Sequence, residues 1–136
     1  LRIILVSNDI KAASLWAGVV GSYQDMFETY NHKIPFLQNI TENNLIKENG
    51  LPSENLNFWR QIDPYNFISE INIPIQLQHG TSDDSVPIEL SLSLKNALEE
   101  NDKLVEYIEY QDDNHNISNN ATKAWQKTIE FFKNNL

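Results

Sequence analysis

The sequence predicts an α/β protein built on a parallel sheet. Three observations point there. Residues 10–17, 73–78 and 103–110 are strand-length runs with apolar residues throughout or in alternation. Residues 87–100 carry Leu90, Leu94 and Leu98 on one helical stripe between two of those runs. A further helical pattern at 121–134 follows the last run, so strands alternate with helices as parallel βα units require.

Each element has a local reason. Leu1 to Ser7 is an apolar run that suits a strand or a helix end equally by periodicity. Asn8-Asp9 marks a turn or helix exit. The run "IKAASLWA" at 10–17 is apolar on both faces, as in a buried parallel strand, and stops at Gly18. Residues 19–70 are polar, rich in Asn and aromatics, and punctuated by Gly50 and Pro52. They read as a helical insertion or lid, with short helices near 22–30, 41–49 and 52–61. Thr41 and Ser53 are the candidate N-caps. The motif "IPIQLQ" at 73–78 alternates. Pro87 suits the first position of the next helix, and Glu89 suits its positive end. In the last helix, Trp125, Ile129 and Phe132 share a face, which places Trp125 in the core, and Asn120 is the candidate cap.

The bulk numbers set limits. At 136 residues, 40% hydrophobic and 21% charged, the chain suits one soluble domain. A net charge of −9 leaves no clustered basic surface for nucleic acid or for an anionic membrane. No Cys is present, which excludes disulfides, thiolate metal sites and a cysteine nucleophile. No apolar run is long enough to span a bilayer, and no signal-peptide pattern is visible, so a cytoplasmic setting is favoured. The Asn-x-Ser/Thr matches at Asn39, Asn116 and Asn120 are expected by chance in so Asn-rich a chain.

Chemistry in open α/β sheets sits on loops at the carboxyl ends of strands. The loop after 73–78 carries Asp83 and Asp84; the loop after 103–110 carries Asp112, Asp113 and His115. Parallel neighbouring strands would open both loops on one edge and let an Asp meet a His. A carboxylate there fixes the imidazole tautomer and stabilises the imidazolium. Spacing alone leaves two plain alternatives open: an Asp that only caps the next helix, and a solvated loop His. The same oxygen-rich group is a weak candidate for a hard cation, but the glycine and spacing of a calcium loop are missing, and no metal or cofactor is expected. His79 reads as a packed, hydrogen-bonded residue and His32 as a surface one. Trp16 and Trp59, with Tyr23 and Phe27, read as packing before cleft lining.

The two segments "HGTSDDSVP" (79–87) and "DDNHNIS" (112–118) together resemble the end of an α/β-hydrolase. They are similar above all to the prolyl oligopeptidase and dipeptidyl-aminopeptidase family of serine hydrolases. The resemblance implies a partial α/β-hydrolase fold: the last three parallel strands, flanking helices and a cap insertion. It implies Asp83 as the catalytic acid and His115 as the base, with Asp84 holding the loop or the helix start. It makes 1–7 the tail of the nucleophile helix. The substrate class would be a peptide or an ester. An esterase or dienelactone-hydrolase type of enzyme would use the same two residues, and a non-catalytic binding module would keep the fold alone.

No Gly-x-Ser-x-Gly occurs in the chain, so the nucleophile elbow is expected upstream of Leu1. Ser14 lies within a strand, Ser22 lacks the flanking glycines, and Ser82 and Ser85 lie on the acid loop itself. The nucleophile-bearing half of the fold would then be the main partner. Strand 10–17 would carry an exposed edge, prone to oligomerisation if these residues were isolated.

Overall fold

The computed structural model describes residues 1–34 and 44–136. Its centre is a three-stranded parallel sheet in the order β1-β2-β3, formed by Ala13–Trp16, Ile75–Gly80 and Val105–Tyr110. The register pairs Leu15 with Leu77 and Leu77 with Tyr107, so equivalent faces line up across the sheet.

β2 is buried along its whole length, and its two faces differ. Ile75 and Leu77 point to one side, where Leu94 and Leu98 of α4 (Ile88–Glu100) meet them with Ile68 and Ile71 in the main apolar cluster. Gln76 and Gln78 point to the other side and are equally inaccessible. There α5 (Ala121–Asn135) supplies polar partners. Gln78 Nε2 donates to Thr128 Oγ1 at 2.7 Å and to the Ala124 carbonyl at 3.3 Å, and Gln76 Nε2 donates to the Lys127 carbonyl. The Tyr110 hydroxyl donates to Gln78 Oε1, and the Ser14 hydroxyl to Gln76 Oε1. A buried amide without partners would be costly, so these bonds fix how α5 lies on the sheet.

That demand corrects the expected face of the last helix. Ala124, Thr128 and Phe131 are buried, whereas Trp125 is 60% exposed and Ile129 50% exposed. Trp125 is not a core residue. It packs against Trp16 at the β1 edge, with ring centroids 5.0 Å apart, while Trp16 Nε1 donates to Thr128 Oγ1. Asn120 does take the N-cap position of α5, but its side chain makes no capping hydrogen bond; instead the carboxylate of Asp113 accepts from the Asn119 and Asn120 N–H groups.

The remaining elements follow the sequence in outline. The first run is helical, α1 being Arg2–Val6. β1 is shorter than the expected 10–17. Pro74 has no N–H to extend the ladder, and Ala17 turns out of it with φ +43°. After β1, the short helix expected near 22–30 is present, and its Asp25–Thr29 part is a π-helical turn closed by Tyr30 N–H to the Asp25 carbonyl. Then come α2 (Asn44–Asn49), α3 (Leu56–Ile62) and an unpredicted 3₁₀ segment, Pro64–Glu70. Thr41 lies outside the described residues. Ser53 is not a cap: Asn55 caps α3 through Phe58 N–H, and Ser53 N–H is bonded to Glu28. Trp59 is buried with Tyr23, Phe27 and Phe58 in a separate aromatic cluster, so its main part is packing. No helix among the described residues is long and apolar enough to cross a membrane.

Candidate active site

The ends of β2 and β3 bring the two Asp-bearing loops together. Thr81 N–H donates to the Tyr110 carbonyl at 2.9 Å, and Ser82 N–H to the Asp113 carbonyl at 2.9 Å. Asp112 N–H returns to Thr81 Oγ1. Gly80 makes this approach possible: a Cβ there would collide with the carbonyl oxygens of Asp113 and Asn114. The His-Gly pair therefore has a steric meaning, since the second loop lies across the end of β2.

Asp83 sits at the convergence with its side chain fully buried. Oδ1 accepts from the Ser85 and Val86 N–H groups at 2.8 and 2.9 Å, an Asx-type turn that leads into α4. Oδ2 lies 2.9 Å from His115 Nδ1. Burial opposes ionisation of Asp83. The Val86 N–H, the His115 ring and the Ser85 N–H outweigh it and hold the carboxyl below its ordinary value. An ionised Asp83 accepts only, so His115 Nδ1 donates, and the free lone pair of the neutral ring is on Nε2. The His115 side chain is 39% exposed, and no hydrogen bond among the described residues engages Nε2.

The second loop is held by Asp113, which is fully buried. It accepts from Asn114, Asn119 and Asn120 N–H groups and from Asn120 Nδ2. Ile117, two residues past His115, has φ +52°. That conformation is strained for a β-branched residue. It is held by burial of the side chain with Tyr110 and Ala124. His115 is thus mounted on a loop fixed at both ends.

The other candidates separate clearly. The exposed Asp84 side chain accepts from the hydroxyl of its neighbour Ser85. Asp112 is exposed, with φ +56°, and pairs with Gln111. Among the described residues no group of three His, Asp or Glu side chains is placed to hold a metal ion. His79 is buried and hydrogen-bonded, as the sequence suggested, but it also touches Asp83, which nothing in the spacing signalled. The structural part of Asp113 was missed too; its signal was the Asn119-Asn120 pair at a helix start. A cleft of about 550 Å³ beside Asp83 is lined by His32, Lys33, Thr81, Asp84 and Glu89.

Comparison with known proteins agrees with this architecture. No curated protein sequence matches the chain. Among solved structures, an acylaminoacyl peptidase from Pyrococcus horikoshii aligns over 98% of this chain and 21% of its own, with TM-score 0.74 and 19% identity. A puromycin-hydrolyzing peptidase from Mycobacterium tuberculosis aligns over 89% of this chain and 18% of its own, with TM-score 0.64 and 15% identity. The chain spans about a fifth of the length of these structures. At such identities they show the fold, a part of an α/β-hydrolase. The sequence itself carries the family: residues 15–136 match the sequence model of the prolyl oligopeptidase family, and the chain belongs to that family.

Proposed function

We propose that these residues supply the acid and the base of a serine peptidase whose nucleophile lies outside residues 1–136. The observation that carries the reading is the 2.9 Å contact between buried Asp83 and half-exposed His115, at the carboxyl edge of two parallel strands. His115 Nε2 takes the proton of a serine hydroxyl as that oxygen attacks a substrate carbonyl. It then returns the proton to the leaving amine, or alcohol in an ester, and water cleaves the acyl-enzyme by the same steps. Asp83 holds the ring and stabilises the imidazolium. No serine hydroxyl among the described residues is hydrogen-bonded to His115, which supports an external nucleophile. β1 has a partner strand on one side only among the described residues, and the rest of the sheet would join at its free edge.

The test uses the complete protein and a fluorophosphonate probe, with the modified residue mapped by mass spectrometry. Labelling is expected at a serine outside 1–136, and His115→Ala is expected to suppress it. A modified serine within 1–136, or wild-type labelling of the His115→Ala variant, would overturn the reading.

A further inference from the structure

We propose that His79 is a positioning residue that acts on His115 through Asp83; this inference rests on the proposed Asp83–His115 pair. The His79 ring is wholly inaccessible at the end of β2. Nδ1 lies 2.7 Å from the Ser91 hydroxyl on α4. Nε2 lies 3.0 Å from Asp83 Oδ2 and 3.1 Å from the Val86 carbonyl. Both neighbours of Nε2 are acceptors, so Nε2 carries the hydrogen, and Ser91 can donate to Nδ1. The result is a chain of contacts: Ser91, His79, Asp83, His115.

Asp83 Oδ2 is the shared atom. It accepts from His79 on the buried side and from His115 on the open side. Each donor lowers the electron density available to the other. His79 therefore does two things. It fixes the carboxylate in the plane that His115 needs, and it tempers the pull of Asp83 on the His115 imidazolium. The other titratable groups in the adjoining cleft are His32, Lys33, Asp84 and Glu89.

Two variants of the complete enzyme read this out. His79→Leu removes the donor, so Asp83 binds the His115 imidazolium more tightly. The acid limb of the kcat/KM profile is expected to move to higher pH by about one unit, since a hydrogen bond to a charge is worth about that much. kcat should fall with KM little changed. His79→Gln keeps an N–H near the Nε2 position and is expected to restore the wild-type limb. Ser91→Ala, which leaves the ring in place, should shift the limb the same way by less and guards against a variant that fails to fold. A purely packing role would lower activity equally at every pH. An unmoved limb in both His79→Leu and Ser91→Ala, or in Ser91→Ala alone if His79→Leu does not fold, would overturn the proposal, as would a His79→Gln enzyme that behaves like His79→Leu. His115→Ala run alongside separates the two ideas: if it stays active the pair itself is wrong, and if it is dead while the limb holds still, only the part played by His79 is wrong.

Discussion

Asp83 and Asp113 are two buried carboxylates on adjoining loops, and each collects four hydrogen-bond partners. For both, burial opposes ionisation and the donors outweigh it, so both are held below the ordinary carboxylate range. They differ in what donates. Every donor to Asp113 is an amide of its own loop, so its charge is spent on loop shape and on the start of α5. Two donors to Asp83 are imidazoles, and one of those rings reaches solvent. Low pKa and burial are thus shared by a structural and a chemical carboxylate. What separates them is whether one partner is titratable and accessible.

The largest test of that difference is a matched pair of substitutions in the complete enzyme. Asp83→Asn should cut kcat/KM by about 10⁴-fold, because an amide cannot hold the His115 tautomer. Asp113→Asn should instead lower Tm by about 5 °C with a much smaller loss of kcat/KM, since it loosens a helix start. Steady-state kinetics and thermal melts on both proteins check the contrast.

Next comes the steric link between the loops. Gly80→Ala places a methyl group where the Asp113 and Asn114 carbonyls lie. Overpacking of this kind costs about 1–3 kcal/mol and should drive the His115 loop away from Asp83. Denaturant unfolding gives the first quantity and kcat/KM the second, and both should suffer together.

The pH dependence sharpens the comparison further. A carboxyl with a depressed folded pKa adds stability above its unfolded value, near about 4, and that stability is lost as pH falls through the folded pKa. Asp83 and Asp113 both fit this case. Tm should therefore drop on acidification below about pH 4, and the drop should be shallower in Asp113→Asn than in the wild type. The smallest effect is expected one residue away: Asp112→Asn, on an exposed side chain whose backbone Asn tolerates, should change stability by less than about 0.5 kcal/mol.

The legibility of this chain varied with how local the cause was. The stripe Leu90, Leu94, Leu98 was readable because helical spacing and burial coincide, and all three are inaccessible. The same logic failed for Trp125 because the face of α5 answers to Gln76 and Gln78, residues about fifty positions earlier. Gln76 and Gln78 are buried because α5 covers them and offers Thr128 Oγ1 and the Ala124 and Lys127 carbonyl oxygens as acceptors. The π-turn and the 3₁₀ segment left no periodic trace. At the candidate site, Asp83 and His115 were singled out by their motifs, whereas Asp83, Asp84, Asp112 and Asp113 look alike to spacing alone.

By itself the order of residues determined the alternation of strands and helices, the carboxyl-edge loops and the motif that carries the family, because these depend on near neighbours and on residue type. Only the tertiary structure decided which aspartate meets His115, which holds the loop and that His79 shares the Asp83 oxygen. Those outcomes turn on contacts of about 3 Å: the Asp83–His115 pair joins residues 32 positions apart across the parallel register of β2 and β3, while His79 reaches Asp83 four positions on, at the end of β2. A hydrogen bond has that range and no longer one, so no pattern along the chain can express it.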